Sequence, residues 1–306
     1  MDDGLGPARI DGAATDPLIK WVGGKRPLVP VLTAAVREIR ALHPAMAHYA
    51  EPFVGAGGSL LGLRASGALA GLGCAALDAN HRVMNLHRWT ARDPGKLDTA
   101  LEAMPHAATK ATYYPIRDAF NTHAPMGVLQ AARLVWLNRT GFNGLYRENQ
   151  DGDFNVALGV RRVARVPSTA WIHAVSRAWS GVTLQTGDYH DLRLAQRGII
   201  YCDPPYLGGF TDYTAGGFAA FAHLDLARRA RTWTRQGHVV LLSNADTSET
   251  RTVYAEQNGW EVLARPHVQR VVGGQTERNE RAPEVLLALG LSPGDARDVR
   301  NTLEAL

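Results

Sequence analysis

Five short apolar runs set the rhythm of this chain: "HYAEPF" (48–53), "CAALD" (74–78), "VTLQTGD" (182–188), "GIIYCD" (198–203) and "HVVLLSN" (238–244). Four of them close on Asp or Asn, and the first runs into the glycine turn "VGAGG". Between them lie segments with apolar residues at helical spacing, such as "PLVPVLTAAVREIRAL" (27–42), with Pro in its first turn, and "AHLDLARRARTWTRQ". Strands joined through helices have no tight hairpin available, so they line up parallel. The predicted fold class is therefore α/β, Rossmann-like, with a mostly parallel sheet. Only the end departs, where "WEVLARPHVQRVVGG" and "APEVLLALG" read as two antiparallel strands about a long loop.

From about residue 80 the strand rhythm stops. "HRVMNLHRWT", "PGKLDTALEAM", "ATYYPIRDAFNTH" and "MGVLQAARLVWLNRT" each read as a helix, and the loop-rich "GFNGLYRENQDGDFNVALG" (141–159) follows. The expected organisation is a mobile tail over 1–16, an α/β domain over 17–80 and 167–306, and an inserted helical subdomain over 81–166. The start is acidic and Gly/Ala-rich, unlike a signal or transit peptide, and no apolar run reaches the length of a membrane span. A cytoplasmic protein is expected. Cys74 and Cys202 each sit inside an apolar stretch, which predicts neither a disulfide framework nor a zinc site. The net charge of +4 is too small to demand a polyanionic partner, so any such partner must be read from local clusters.

The run "GIIYCD" turns abruptly into "PPYLGGF". Proline cannot continue a central strand, so the strand ends at Asp203 and leaves that carboxylate at the carboxyl edge of the sheet. Ligands of open α/β sheets bind at that edge. In "EPFVGAGG" (51–58) a strand enters a helix through glycines, which lets backbone N–H groups approach a ligand closely. Gly55, Gly57 and Gly58 give G-x-G-G, with Leu60 where a dinucleotide fingerprint has its third glycine. Asp78, closing the next strand, stands where doubly wound folds bind ribose hydroxyls, and it reads equally as a helix N-cap. "KWVGGKR" (20–26) is no phosphate loop, because Ile19 and Arg26 occupy positions that need Gly and Ser or Thr.

Taken together and in this order, "KWVGGK", "EPFVGAGG", the inserted segment and "DPPY" resemble the Dam-type DNA adenine-N6 methyltransferases, the D12 class of adenine-specific methylases. The resemblance runs from about residue 18 to 290 and includes "NRTGFNGLYRENQDGDFNV" and "LLSNADT". It implies an S-adenosylmethionine-dependent methyltransferase fold, double-stranded DNA as partner, no metal, a monomer in solution and a nucleoid-associated enzyme. The implied donor pocket comprises Trp21, Lys25, Phe53, Gly55, Gly57, Asp78, Asp188 and Asp203. Asp188 is placed at the donor's adenine by the resemblance and reads equally as a turn acid. The implied catalytic turn is Asp203, Pro204, Pro205 and Tyr206. There the Asp203 carboxylate and the Pro204 carbonyl accept the two N–H bonds of the target amine, and Tyr206 stacks on the base.

A target adenine inside a duplex is out of reach, so it must be flipped out. The resemblance assigns DNA reading or wedging to Phe142, Asn143, Leu145 and Arg147, with Arg139 beside them. Arg133, Arg161, Arg162 and Arg165 read either as phosphate contacts or as a solvated face. The chain departs from many relatives at Ala157, which replaces a proline, and at Glu277 and Glu280, where relatives are more basic. The target is expected to be GATC or a related site. Two alternatives stay open here: methylation of another amino group (cytosine N4, RNA or protein glutamine), and a DNA-binding repressor without catalysis. Asp203 opposes the first, since cytosine-N4 enzymes usually carry Ser there and glutamine methylases Asn.

Overall fold

A computed structural model describes residues 7–207, 218, 220–269 and 281–306. Its strands are β1 (Ala8–Ile10), β2 (His48–Glu51), β3 (Gly73–Asp78), β4 (Arg165–Pro167), β5 (Val182–Thr186), β6 (Gly198–Cys202), β7 (Val239–Ala245), β8 (Trp260–Ala264), β9 (His267–Gln269) and β10 (Arg281–Leu289). Its α-helices are α1 (Val29–Leu42), α2 (Gly58–Ala65), α3 (His81–Arg92), α4 (Pro94–Glu102), α5 (Lys110–Thr122), α6 (Val128–Thr140), α7 (Thr169–Trp179), α8 (Ala220–Arg235), α9 (Ser248–Val253) and α10 (Pro293–Glu304).

The main sheet runs in the order β5-β3-β2-β6-β7-β10-β8, with β9 paired to β10. From β5 to β7 all pairs are parallel, as the strand-helix rhythm predicts. β10 is antiparallel to β7, β8 and β9. β8 therefore points the same way as the parallel strands, and the reversal belongs to β10. The strands alternate strictly between two buried faces. Tyr49, Ile199, Tyr201, Val239 and Leu241 belong to one apolar cluster, whereas Ala50, Ile200, Cys202, Val240 and Leu242 belong to the other. Burial on both faces is why these runs are continuously apolar rather than alternating. Each fully buried Ile or Leu contributes about 1.5–3 kcal/mol of transfer energy. The first cluster continues without a break into the helical insert through Leu97, Tyr113, Phe120 and Trp136.

Two features of this order position the site. After β2 the chain moves outward through β3 to β5, then returns to place β6 on the other flank of β2. The neighbours β2 and β6 thus form the point where the winding reverses, and the crevice beyond their carboxyl ends is the ligand position of such sheets. "EPFVGAGG" leaves β2 and "DPPY" leaves β6, so both motifs open onto that crevice.

Several expectations need correction. The segment predicted as a mobile tail is part of the fold from Pro7 onward. Ala8–Ile10 pair parallel with Arg165–Pro167. Arg9 bonds the Pro167 carbonyl at 2.8 Å and pairs with Asp98 at 2.8 Å. Residues 1–6 lie outside the described residues. A helix expected across "DTSETRTVYAEQ" shortens to α9, because Asp246 pairs with Arg251 and Arg265 while Thr247 caps the helix. Asp188 and Asp203 fall just beyond β5 and β6 rather than inside them, and the end of the chain supplies three strands instead of two. Helices α7 and α10 add to the elements that the sequence pattern predicts. The loop carrying Glu277 and Glu280 lies outside the described residues.

Candidate active site

Alternation in the strands brings the site together. The face that holds Tyr201 and Leu241 also holds Tyr49, and two residues further along each strand stand Asp203, Ser243 and Glu51. On β10, Leu286 lies opposite Ser243 and shares that face, so Glu284 joins the group from the antiparallel neighbour. Residues carried by four strands far apart in the chain thus meet at one crevice.

Asp203 is the centre. Its Oδ1 accepts Lys25 Nζ at 2.9 Å and Ser243 Oγ at 2.8 Å. Its side chain is 19% exposed, and among the described residues its Oδ2 has no protein partner. Burial pushes the Asp203 carboxyl above the usual carboxylate range, Lys25 and Ser243 pull it back, and the nearby Glu284 charge adds to the rise. Lys25 also donates to the Gly23 carbonyl at 2.7 Å and lies 4.6 Å from the centroid of the Tyr206 ring. The Tyr206 hydroxyl donates to Glu284 at 2.5 Å. Burial and the Asp203 and Glu284 charges raise the phenol's pKa, so Tyr206 stays neutral. Pro204 is buried and Pro205 exposed. Among the described residues the Pro204 carbonyl accepts no hydrogen bond.

The glycine turn after β2 is shaped by its aromatic neighbours. Gly55 and Gly57 have φ of +49° and +85°, a region that only glycine enters freely. A Cβ on Gly55 would stand 2.7 Å from Trp21 Nε1, and one on Gly57 2.5 Å from Trp179. Trp21 also packs against Tyr146 of the insert at 5.2 Å, tying the segment before Lys25 to both halves of the molecule. Asp78 accepts the Gly55 N–H at 2.8 Å through Oδ2 and the Asn80 N–H at 2.8 Å through Oδ1. The N-cap of α3 is Asn80, so Asp78 holds the turn rather than the helix. Phe53 meets Tyr189 at 5.3 Å and Phe218 at 5.7 Å. Asp188 caps the short 3-10 turn Tyr189–Asp191, accepting from His190 N at 2.9 Å.

These groups fit a nucleoside-bearing donor. A partly exposed carboxylate, a half-buried ring and a glycine turn without side chains converge beyond the switch point. A cleft of about 360 Å³ lined by Arg193, Arg197, Trp233 and His238 lies instead at the amino end of β6, away from Asp203.

The DNA-reading candidates sit on the hairpin 141–159, closed by bridges between Gly141 and Leu158 and between Glu148 and Phe154. Phe142 is 47% exposed, Asn143 is exposed with φ +54°, and Arg147 is exposed with its Nε on Asn155 at 2.7 Å. Leu145 is half-buried, and Ala157 is exposed on the returning strand. Val160, 89% exposed, stands beside exposed Arg161 and Arg162, and Arg165 is exposed on β4. Arg139 has an internal duty. Its Nε and Nη2 both donate to the Leu18 carbonyl, at 3.1 and 2.8 Å, and its guanidinium lies 5.0 Å from the Trp171 ring. Burial and Arg161 push its pKa down to about 10.

Residue patterns did not announce four participants. Glu51 is buried and accepts from Tyr49 and Ser59, both at 2.7 Å; burial pushes its carboxyl up to about 8. Its signal was available, as the acid opening "EPFVGAGG". Ser243 and Glu284 are polar residues at the ends of apolar runs, a signal with no partner in sight along the chain. Lys20 lies beside Arg139 and Arg161, and burial together with those two charges lowers its pKa.

Comparison with known proteins agrees with this geometry. The family model of the D12 class N6 adenine-specific DNA methyltransferases matches residues 21–268. The chain is 31% identical over 274 residues to a DNA adenine methylase of Serratia marcescens, covering 86% of this chain and 95% of that one. It is 30% identical over 262 residues to the DNA adenine methylase of Salmonella typhi, covering 83% and 86% respectively. A type II methyltransferase of Lactococcus lactis subsp. cremoris, M1.LlaDCHI, is 27% identical over 284 residues, covering 89% and 94%. With its switch-point crevice, its DPPY turn and this match along most of its length, the chain belongs to the D12 class of N6 adenine-specific DNA methyltransferases.

Proposed function

We propose that the protein transfers a methyl group from S-adenosylmethionine to the N6 of an adenine flipped out of double-stranded DNA, with Asp203 as the acceptor that readies the amine. The observation that carries this reading is the split environment of Asp203: Oδ1 is held by Lys25 and Ser243, and Oδ2 is left toward the crevice. An exocyclic adenine amine is a poor nucleophile because its lone pair is delocalised into the ring. Acceptors on both N–H bonds favour a pyramidal nitrogen. Asp203 Oδ2 provides one and the carbonyl of Pro204, fixed between rigid neighbours, the other. As nitrogen gains the methyl group it sheds a proton, for which Asp203 is the nearest base in the turn. Burial, which raises the carboxyl's proton affinity, suits it to that step.

S-adenosylmethionine, when bound, supplies a methyl group activated by positive sulfur. Asp78 and Phe53 would hold its nucleoside and sulfonium, with Trp21 and the Gly55–Gly57 turn as the wall of the pocket and Asp188 as the residue toward its adenine. Lys25, read as part of the donor pocket, also pairs with Asp203. Positioning and exclusion of water then carry most of the rate. On the DNA side, Phe142 and Leu145 are the apolar wedge and Arg147 with Asn143 the base readers, with GATC or a related sequence as target. The crowded cations Lys20, Arg139 and Arg161 would be relieved by a phosphate between them. The protein acts as a monomer in the cytoplasm, on nucleoid DNA. Single-turnover transfer from labelled donor to genomic DNA lacking adenine methylation, and to duplexes carrying GATC, tests the reading directly. Methyl label on adenine N6 supports it, and label on cytosine or none on any duplex overturns it.

A further inference from the structure

We propose that Ser243 and Tyr201 are positioning residues for methyl transfer, a two-hydroxyl strut that fixes which oxygen of Asp203 meets the target amine. The inference rests on the reading of Asp203 as that amine's acceptor. "LLSNADT" places Ser243 near the end of β7, a central strand whose preceding residues, Val239, Val240, Leu241 and Leu242, are apolar and buried. Ser243 Oγ lies 2.8 Å from Asp203 Oδ1 and 2.8 Å from the Tyr201 hydroxyl. A hydroxyl has one proton to give. Because Asp203, once ionised, can only accept, Ser243 donates to it and must accept from Tyr201. Tyr201 is fully buried, with its phenol held neutral by burial and by the Asp203 charge, so it keeps the proton it donates.

The geometry has one outcome. Oδ1 receives Lys25 and Ser243, and rotation of the carboxylate would break both contacts, so Oδ2 remains on the crevice side. The next residue, Asn244, works on the backbone of the same turn. Its Oδ1 accepts the Leu207 N–H at 3.2 Å, just past Tyr206. One dipeptide of β7 thereby orients both the acid and the turn that follows it. None of these groups touches a substrate, and their action passes through Asp203.

The test uses the full-length enzyme with S-adenosylmethionine and a cognate duplex, comparing Ser243→Ala, Tyr201→Phe, the double variant and Asp203→Asn. Losing a hydrogen bond to a charged group should lower kcat roughly 10- to 100-fold in Ser243→Ala. KM for DNA and donor affinity by calorimetry should stay at wild-type values. The carboxylate also faces Lys25, Glu284, Tyr206, Tyr201 and Glu51, all of which Ser243→Ala retains, while Tyr201→Phe and the double variant lack only the Tyr201 hydroxyl. Without the Ser243 donor, the charged form of Asp203 is less favoured, so the acid limb of kcat should move to higher pH. Tyr201→Phe should show a smaller loss, and the double variant should match Ser243→Ala alone, because Tyr201 acts only through the serine. Thermal melting checks that each variant is folded; Tyr201→Phe keeps the buried ring. If Asp203→Asn retains activity, the acceptor reading itself fails. If Asp203→Asn is inactive while Ser243→Ala keeps kcat within about threefold and its pH profile unmoved, the strut alone is refuted. Additive losses in the double variant refute it as well.

Discussion

Asp203 and Arg147 are both charged side chains singled out by sequence, yet the fold treats them differently. Asp203 is 19% exposed, with one oxygen gripped by a lysine and a serine from elements far apart in the chain. Arg147 stands exposed on a hairpin, with Asn155 eight residues away on the same hairpin as its side-chain partner among the described residues. One environment is built from β2, β6, β7 and β10, where moving any strand disturbs the rest. The other is local, and its side chains can be exchanged without repacking a core. Chemistry that is the same for every target site belongs on the first kind of surface. Reading of a particular sequence, the role proposed for this hairpin, suits the second, where Ala157 is exposed as well.

The largest expected effect breaks the rigid side. Asp203→Ala should lower single-turnover methyl transfer by roughly 10²–10⁴-fold, the usual contribution of a positioned proton acceptor. DNA affinity measured on the same preparation should change little. Transfer within about tenfold of wild type would remove Asp203 from the chemistry.

Next comes Asp78, whose two oxygens already accept from Gly55 and Asn80. Asp78→Ala should weaken donor binding roughly 10- to 150-fold, the value of a hydrogen bond to a charged group. Because it also frees the Gly55 N–H, the melting temperature should fall too. Unchanged donor affinity by calorimetry together with a lowered melting temperature would leave Asp78 as a brace for the turn and nothing more.

How much of this was legible in the chain follows the same division. The motifs at strand ends were readable because glycine and proline interrupt apolar runs, and the parallel sheet followed from the helices between them. The partners of Asp203 were not. Ser243 lies 40 residues from it and Glu284 lies 78 residues from Tyr206, joined only by strand order and the register of β10 on β7. No periodicity encodes that register. Nor could three residues at Ala8–Ile10 announce a pairing with Arg165–Pro167, since so short a strand has no pattern to read. Arg139 shows another limit of reading along the chain: nothing in its motif signals the Leu18 carbonyl to which its Nε and Nη2 donate in the fold.

On the hairpin, a smaller and more selective effect is expected. If Arg147 forks onto a guanine edge, Arg147→Ala should cost about 1–3 kcal/mol on the cognate duplex and much less on a duplex altered at that base. Contact with a phosphate would instead weaken both duplexes alike and reduce the salt slope of binding by about one. A binding series over both duplexes at several salt concentrations separates these outcomes.

A last effect, the smallest on methyl transfer and DNA binding, concerns stability. The Glu51 carboxyl is raised from 4.5 to about 8, so its contribution to folding is fully present below pH 4.5 and is lost as pH rises through 8. Glu51→Gln should therefore flatten the decline of melting temperature across that window. Parallel declines in the two proteins would mean that Glu51 is ionised in the fold.

The central claim is that this chain methylates adenine N6 in DNA through Asp203. It is tested most directly by sequencing modified bases in DNA from a host lacking adenine methylation that expresses either wild-type protein or Asp203→Ala. The wild type should leave N6-methyladenine at one defined sequence, and the variant should leave none. Methylation on cytosine, or equal adenine methylation in both cultures, would contradict the account.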